Sequence, residues 1–338
     1  MKMIKNLMLT MLILSTTSVL AEGLSGTVYS DYYYHAKSHS STYAGQHGLN
    51  FRRIYLTYKK DLDEGWSAKF RYEMANDALG GTSMTPAVKD MYLAKKMGNH
   101  KMLVGISSDP AFSFMEGHWG YRSVEKNPLD LYKFRSSRDT GIAFKGKVNS
   151  MLDYHFMYGN NSSNKSESNR NKRYALSAVL HPMSSVDLEL NYDMADSLDK
   201  KSDENMFKVF AAWTGEKAKL GVMFAKLSKK SAGVESKATV VSVHSTYKLC
   251  KKMTLLARFD SVKYDDAAST SFSSQSTYLP INSDAKEFTT LIAGLDYKAG
   301  KKVSIIPNIE LVNYKTAFTG KTTDVNDAVA RVTFAYKF

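Results

Sequence analysis

Trp66-Ser67-Ala68-Lys69-Phe70-Arg71-Tyr72-Glu73-Met74 carries Trp, Ala, Phe, Tyr and Met at even positions and Ser, Lys, Arg and Glu at odd ones. Successive side chains of a strand point to opposite faces, so this stretch reads as a strand with one apolar and one charged face. The same split appears at 152–158, 186–194 and 217–224, and it runs to the last residue at 330–338. Working outward, the alternation predicts sixteen strands. They lie near 24–35, 49–61, 65–75, 88–97, 100–107, 138–148, 150–159, 172–181, 185–195, 205–214, 216–228, 236–249, 252–263, 286–298, 301–314 and 327–338. Short turns alternate with longer polar links at 36–48, 76–87, 108–137, 160–171, 196–204, 229–235, 264–285 and 315–326.

An even number of such strands, short turns at one end and long loops at the other predict an all-β fold. The expectation is a transmembrane antiparallel β-barrel of about 16 strands over 22–338, with short periplasmic turns and long external loops. A soluble sandwich or propeller would turn the apolar stripe into a core. Here the apolar face is rich in Tyr, Phe and Trp near strand ends, and the opposite face is charged. That suits lipid outside and water inside.

Composition narrows the choice further. Lys and Arg number 46 against 33 Asp and Glu, a net charge of +13, and there is one Cys in 338 residues. A single Cys excludes a disulfide scaffold and a cysteine zinc site. With 43% hydrophobic and 12% aromatic residues the chain is not disordered. Lys2 and Lys5, the apolar run Leu7-Met8-Leu9-Thr10-Met11-Leu12-Ile13-Leu14 and the ending Val19-Leu20-Ala21 read as a secretory signal peptide over 1–21. That run is well short of the ~20 residues a membrane anchor needs. The terminal Tyr336-Lys337-Phe338 resembles the signal by which bacterial barrel-assembly machinery recognises its substrates. An outer-membrane location in a Gram-negative-type envelope is therefore expected, with lipid and that machinery as partners and no nucleic acid.

The candidate chemistry is sparse. The eight His are scattered, and His35 and His39, four apart, precede a Ser-rich loop rather than sit on a helix. No nucleophile elbow or phosphate loop stands out, and Cys250 lies in a short turn between lysines. No catalytic residue, metal or cofactor is expected. The alternatives are an outer-membrane barrel hydrolase and a surface adhesin or structural barrel. An adhesin should carry aromatic external loops, whereas most long links here are Ser, Asn, Asp and Lys.

If the charged face lines the lumen, Arg53, Lys69, Arg71 and Arg331 point into it. A positive, low-dielectric lumen enriches anions. The longest link, 108–137, is the aromatic exception, with Phe112, Phe114, Trp119, Tyr121, Tyr132 and Phe134. Such a segment is poorly solvated in water, so it should pack inside the barrel as a constriction loop, or else on a neighbouring subunit. Folded inward it would bring Glu116, Arg122, Lys126, Lys133, Arg135 and Arg138 to the channel. The expected function is passive diffusion of small hydrophilic solutes, anionic or neutral, with anions preferred.

Gly48-Leu49-Asn50-Phe51-Arg52-Arg53-Ile54-Tyr55-Leu56 resembles the early strand motif of the phosphate-selective (O and P type) porins. The turn Leu62-Asp63-Glu64-Gly65-Trp66-Ser67 fits the same pattern. Glu116-Gly117-His118-Trp119-Gly120-Tyr121-Arg122-Ser123-Val124-Glu125-Lys126, followed by Asp139-Thr140-Gly141-Ile142-Ala143-Phe144-Lys145-Gly146, resembles a segment found after the fifth strand in that group. The resemblance implies a sixteen-stranded barrel, usually a homotrimer, with a constricted aqueous channel, although no repeating arginine series stands on one strand here.

Overall fold

The computed structural model describes residues 23–76, 84–168, 170–196, 202–231, 233–265, 281–323 and 325–338. The expected signal peptide, 1–21, lies outside them. The strands are β1 (Leu24–Lys37), β2 (His47–Asp61), β3 (Trp66–Ala75), β4 (Thr85–Met97), β5 (His100–Ser108), β6 (Arg138–Asn149), β7 (Leu152–Gly159) and β8 (Lys172–Met183). They continue as β9 (Val186–Asp196), β10 (Ser202–Thr214), β11 (Ala218–Ser231), β12 (Val234–Lys248), β13 (Met253–Tyr264), β14 (Ala285–Gly300), β15 (Val303–Ala317) and β16 (Asp327–Lys337). Each pairs antiparallel with its neighbours in sequence, and β1 pairs β16, which closes the sheet. The sixteen-strand expectation holds. Closure leaves no unpaired strand edge, and in lipid it is the condition under which a sheet can span.

The chain end completes the seam. Gly26 and Phe338 exchange backbone hydrogen bonds of 2.9 and 3.1 Å. The Phe338 ring fills the space over Gly26, where an added Cβ would lie 2.0 Å from it. Any larger residue there would have to push the terminal ring aside.

Large apolar side chains crowd the outside: Tyr58, Trp213, Tyr247, Tyr297, Tyr336 and Phe338 near the short turns, and Tyr72, Tyr158, Tyr174, Tyr192 and Phe207 toward the long loops. Water would oppose so continuous an apolar surface, whereas a bilayer with interfacial aromatics at both faces accommodates it.

Two expectations need correction. β11 and β12 run on until Ser231 pairs with Val234, so the link placed at 229–235 is a two-residue connection, turned at Gly233 with φ 85°. The apolar alternation marks only the part of a strand that meets lipid. The polar Lys- and Ser-rich ends of these two strands extend beyond it and keep their ladder bonds. The second correction concerns the inner face. It is charged around β2–β6, but Met206, Phe210, Met223, Val240, Val262, Phe288 and Val312 on β10–β15 point inward and are fully buried.

Candidate functional site

That inner apolar wall is covered by the long link after β5. Asp109 caps α1 (Pro110–Trp119), its side chain accepting from the Ala111 N–H at 2.8 Å, and Gly120 ends the helix at φ 71°. Asn127 caps the short α2 (Pro128–Leu131) through the Asp130 N–H at 3.2 Å. Both helices carry Pro at the first position, where its missing N–H is not needed. Phe112, Met115, Leu129, Leu131, Tyr132 and Phe134 of this loop share one buried cluster with the β10–β15 residues above. Trp119 and Val124 form a second cluster with Leu256, Ile292 and Ile306. The aromatic loop thus lies inside the barrel.

Polar anchors fix it from β8–β10, β13 and β16 and, through Arg52, from β2. Arg52 Nη1 donates to the Val124 carbonyl at 2.8 Å, Arg331 Nη2 to the same carbonyl at 3.0 Å, and Arg258 Nη1 to the Lys126 carbonyl at 2.6 Å. Lys208 Nζ reaches the Ala111 carbonyl at 2.5 Å and Glu189 at 2.6 Å. Tyr132 donates to Asp260 at 2.8 Å, and Arg135 Nε to Asp193 at 2.7 Å. Arg173 pairs with Asp109 and Asp193. Charge-assisted bonds to carbonyls are roughly twice as strong as neutral ones, so these side chains hold the loop rather than merely touch it.

The opposite wall differs. On β2–β4 and β6, Arg53 pairs with Glu73, and Lys89 reaches the same carboxylate at 2.9 Å. Asp90 receives Lys69, Arg138 at 2.5 Å and, more distantly, Arg71 at 3.7 Å. Arg71 also donates to Thr57 at 2.8 Å, and its guanidinium lies 5.1 Å from the Tyr55 ring centre. On this wall, with Asp139 of β6 buried nearby, five bases, Arg53, Lys69, Arg71, Lys89 and Arg138, thus gather round two carboxylates, Glu73 and Asp90. Facing it, the loop offers Arg122, 3.7 Å from Asp130, together with Glu116 and Lys126. Burial raises the Asp130 pKa, but Lys126, Arg122, Lys89 and Arg53 outweigh it and hold the carboxyl below the usual range. Burial pulls the Lys126 ammonium down to about 8.

Residues 9–317 match the sequence profile described as Gram-negative porin. The chain belongs to that family. Comparison with curated proteins finds no match. Among solved structures, the outer-membrane channel DcaP of Acinetobacter baumannii is similar at a TM-score of 0.67 with 12% identity, covering 93% of this chain and 96% of that one. OmpF of Salmonella typhi, in complex with daunomycin, gives 0.65 at 13% identity, covering 93% and 97%. OmpT of Vibrio cholerae gives 0.64 at 12%, again over 93% and 97%. At such identities these likenesses show the fold alone, and with the family match they make this chain an outer-membrane channel.

Within this porin the expected lumen residues separate into two groups. Arg53, Lys69, Arg71 and Arg138 come together on one wall with Arg122, Lys126 and Glu116 across from it. Lys133 is exposed at the long-loop mouth, with φ 58°, beside a cavity of about 480 Å³ that Lys165 and Lys229 also line. Arg331 and Arg135 are placed otherwise than expected. Arg331 is 3% exposed, bound to Glu310, Asn308 and the loop, and Arg135 is buried between Asp193 and Glu204. Both serve as anchors because the loop packs on their side.

Arg52 and Lys89 escaped the alternation. A bulge in β2 leaves Arg52 and Arg53 opposite Tyr29, and one in β4 leaves Lys89 beside Asp90, so adjacent residues share the inner face. A second charge next to a lumen residue, which would otherwise sit in lipid, was the available signal.

Proposed function

We propose that this porin is an anion-preferring channel for passive diffusion of small hydrophilic solutes, without a chemical step. The observation that carries the reading is the cluster on β2–β4 and β6, where five bases gather round Glu73 and Asp90 across from Arg122, Lys126, Glu116 and Asp130 of the inward loop, so bases outnumber acids even with Asp139 counted. A net positive constriction raises local anion concentration and repels cations at close range. Phosphate is one anion it would pass, in keeping with the resemblance to phosphate-selective porins. The bases are interleaved with Glu73 and Asp90 rather than set in an unbroken arginine series, which favours general anion preference. A homotrimer is the proposed assembly, and OmpT of Vibrio cholerae has been described in trimer form. Export by a cleaved segment 1–21 and recognition of Tyr336 and Phe338 by the assembly machinery complete the reading. Deleting Phe338 should sharply lower heat-modifiable barrel in the outer membrane, and normal levels would remove that last part.

The test is single-channel recording in a planar bilayer under a low-salt KCl gradient. A reversal potential of anion-selective sign supports the proposal. A cation-selective sign, or no channels from folded protein, refutes it.

A further inference from the structure

Below α1, toward the short turns, the inner wall carries a transverse row of bases. Lys96 on β4 pairs directly with Lys101 on β5, Lys101 with Lys145 on β6, Lys145 with His155 on β7, and His155 with Ser177 on β8. Directly opposed side chains lie on the same face, and like charges so placed repel. Among the described residues, no carboxylate pairs with Lys96, Lys101 or Lys145. The nearby acid, Asp153, is engaged by Lys147 at 3.6 Å and His181 at 3.4 Å. The row lines a cavity of about 660 Å³, roofed by Pro110 and Phe114 of the loop and walled by Val179. His155 lines it too. It is 8% exposed, and its Nε2 has no hydrogen-bond partner. With Asp153, which also lines the cavity, taken by Lys147 and His181, three adjacent lysines with no carboxylate at salt-bridge distance and a buried unpartnered imidazole nitrogen make a lining suited to an anion. The apolar roof and the volume exceed what a bare inorganic ion would fill.

The geometry points to a binding subsite in this vestibule for amphipathic organic carboxylates, with the carboxylate on Lys101 and Lys145 and a short apolar body beneath Phe114 and Pro110. The inference rests on the porin reading. It adds a station on the periplasmic side of the constriction, where an organic anion is held after passing the loop. A salt-gradient preference for small anions does not require such a station.

Benzoate is the probe, titrated by calorimetry and saturation-transfer NMR into the full barrel in detergent. Saturable binding is expected. Lys101→Gln with Lys145→Gln should weaken it about tenfold or more, the scale of losing one or two charge-assisted bonds. Phe114→Ala should weaken benzoate but not inorganic phosphate, and Lys251→Gln, in an exposed turn outside the cavity, should change neither. Heat-modifiable mobility verifies that each variant is folded. Retained benzoate affinity in the folded lysine double variant overturns the subsite. So does absent saturable binding in the wild type while KCl conductance is normal, and the porin reading then stands. Binding that disappears in the double variant supports the subsite even if the KCl reversal potential shows no anion preference.

Discussion

The two sides of the lumen are built from the same residue types and do different things with them. On the β8–β16 side, arginines and lysines are buried, paired with carboxylates and spent on loop carbonyls, as Arg258 and Arg331 are. On the β2–β6 side Arg52 also holds the loop and Arg53 is buried against Glu73, but five bases gather round Glu73 and Asp90 across from the loop, and Arg71 remains 27% exposed. The difference arises from where the aromatic loop finds an apolar surface. Once it covers β10–β15, the basic residues on that side become its fasteners, and the basic cluster on β2–β4 and β6 is left facing the loop. Net charge alone would therefore overstate the field felt by a solute.

The comparison breaks most visibly if the loop is removed. Deleting 113–126 should raise single-channel conductance several-fold, since the loop occupies the lumen beside the fasteners, and selectivity should fall. Unchanged conductance would mean the loop does not narrow the path. Arg331→Ala comes next. It takes the ion-pair partner from buried Glu310 and one of two guanidinium donors from the Val124 carbonyl, which keeps Arg52, a loss of about 3–5 kcal/mol for a broken buried pair. Arg71→Ala on the other wall should cost at most about 1 kcal/mol, as expected for a partly exposed pair. Denaturation midpoints of the two variants, measured side by side, check this contrast, and equal losses would erase it. The smallest effect is that of Lys126. With its ammonium at about 8, raising the pH from 7 to 9 removes one positive charge beside the basic wall. Anion preference should decline over that interval, and Lys126→Gln should reduce the decline. A pH-independent wild-type reversal potential over that interval would count against Lys126 as its source.

Much of this was legible in the chain. Period two gave sixteen strands because each lipid-facing segment must alternate, and the aromatic content of 108–137 marked a segment that needs a partner surface. Other features are not encoded by alternation. Arg52 and Lys89 reach the lumen only through bulges, which depend on the partner strand. The apolar inner wall of β10–β15 is hard to read because Met206 and Phe210 resemble lipid-facing residues until their strand's register is known. The helices inside the loop were signalled by Asp109-Pro110, Asn127-Pro128 and Gly120, local marks that a reading tuned to strands passes over. Which arginines fasten the loop is decided by tertiary packing.

The central claim is that only one wall sets selectivity. Reversal potentials under a low-salt KCl gradient, recorded for Arg53→Gln with Arg71→Gln and for Arg258→Gln alone, test it directly. The account predicts a clear shift toward cation permeability in the first, shrinking near 1 M salt as screening shortens to about 3 Å, and an unchanged potential in the second. Equal shifts in both, or a shift confined to Arg258→Gln, would contradict it.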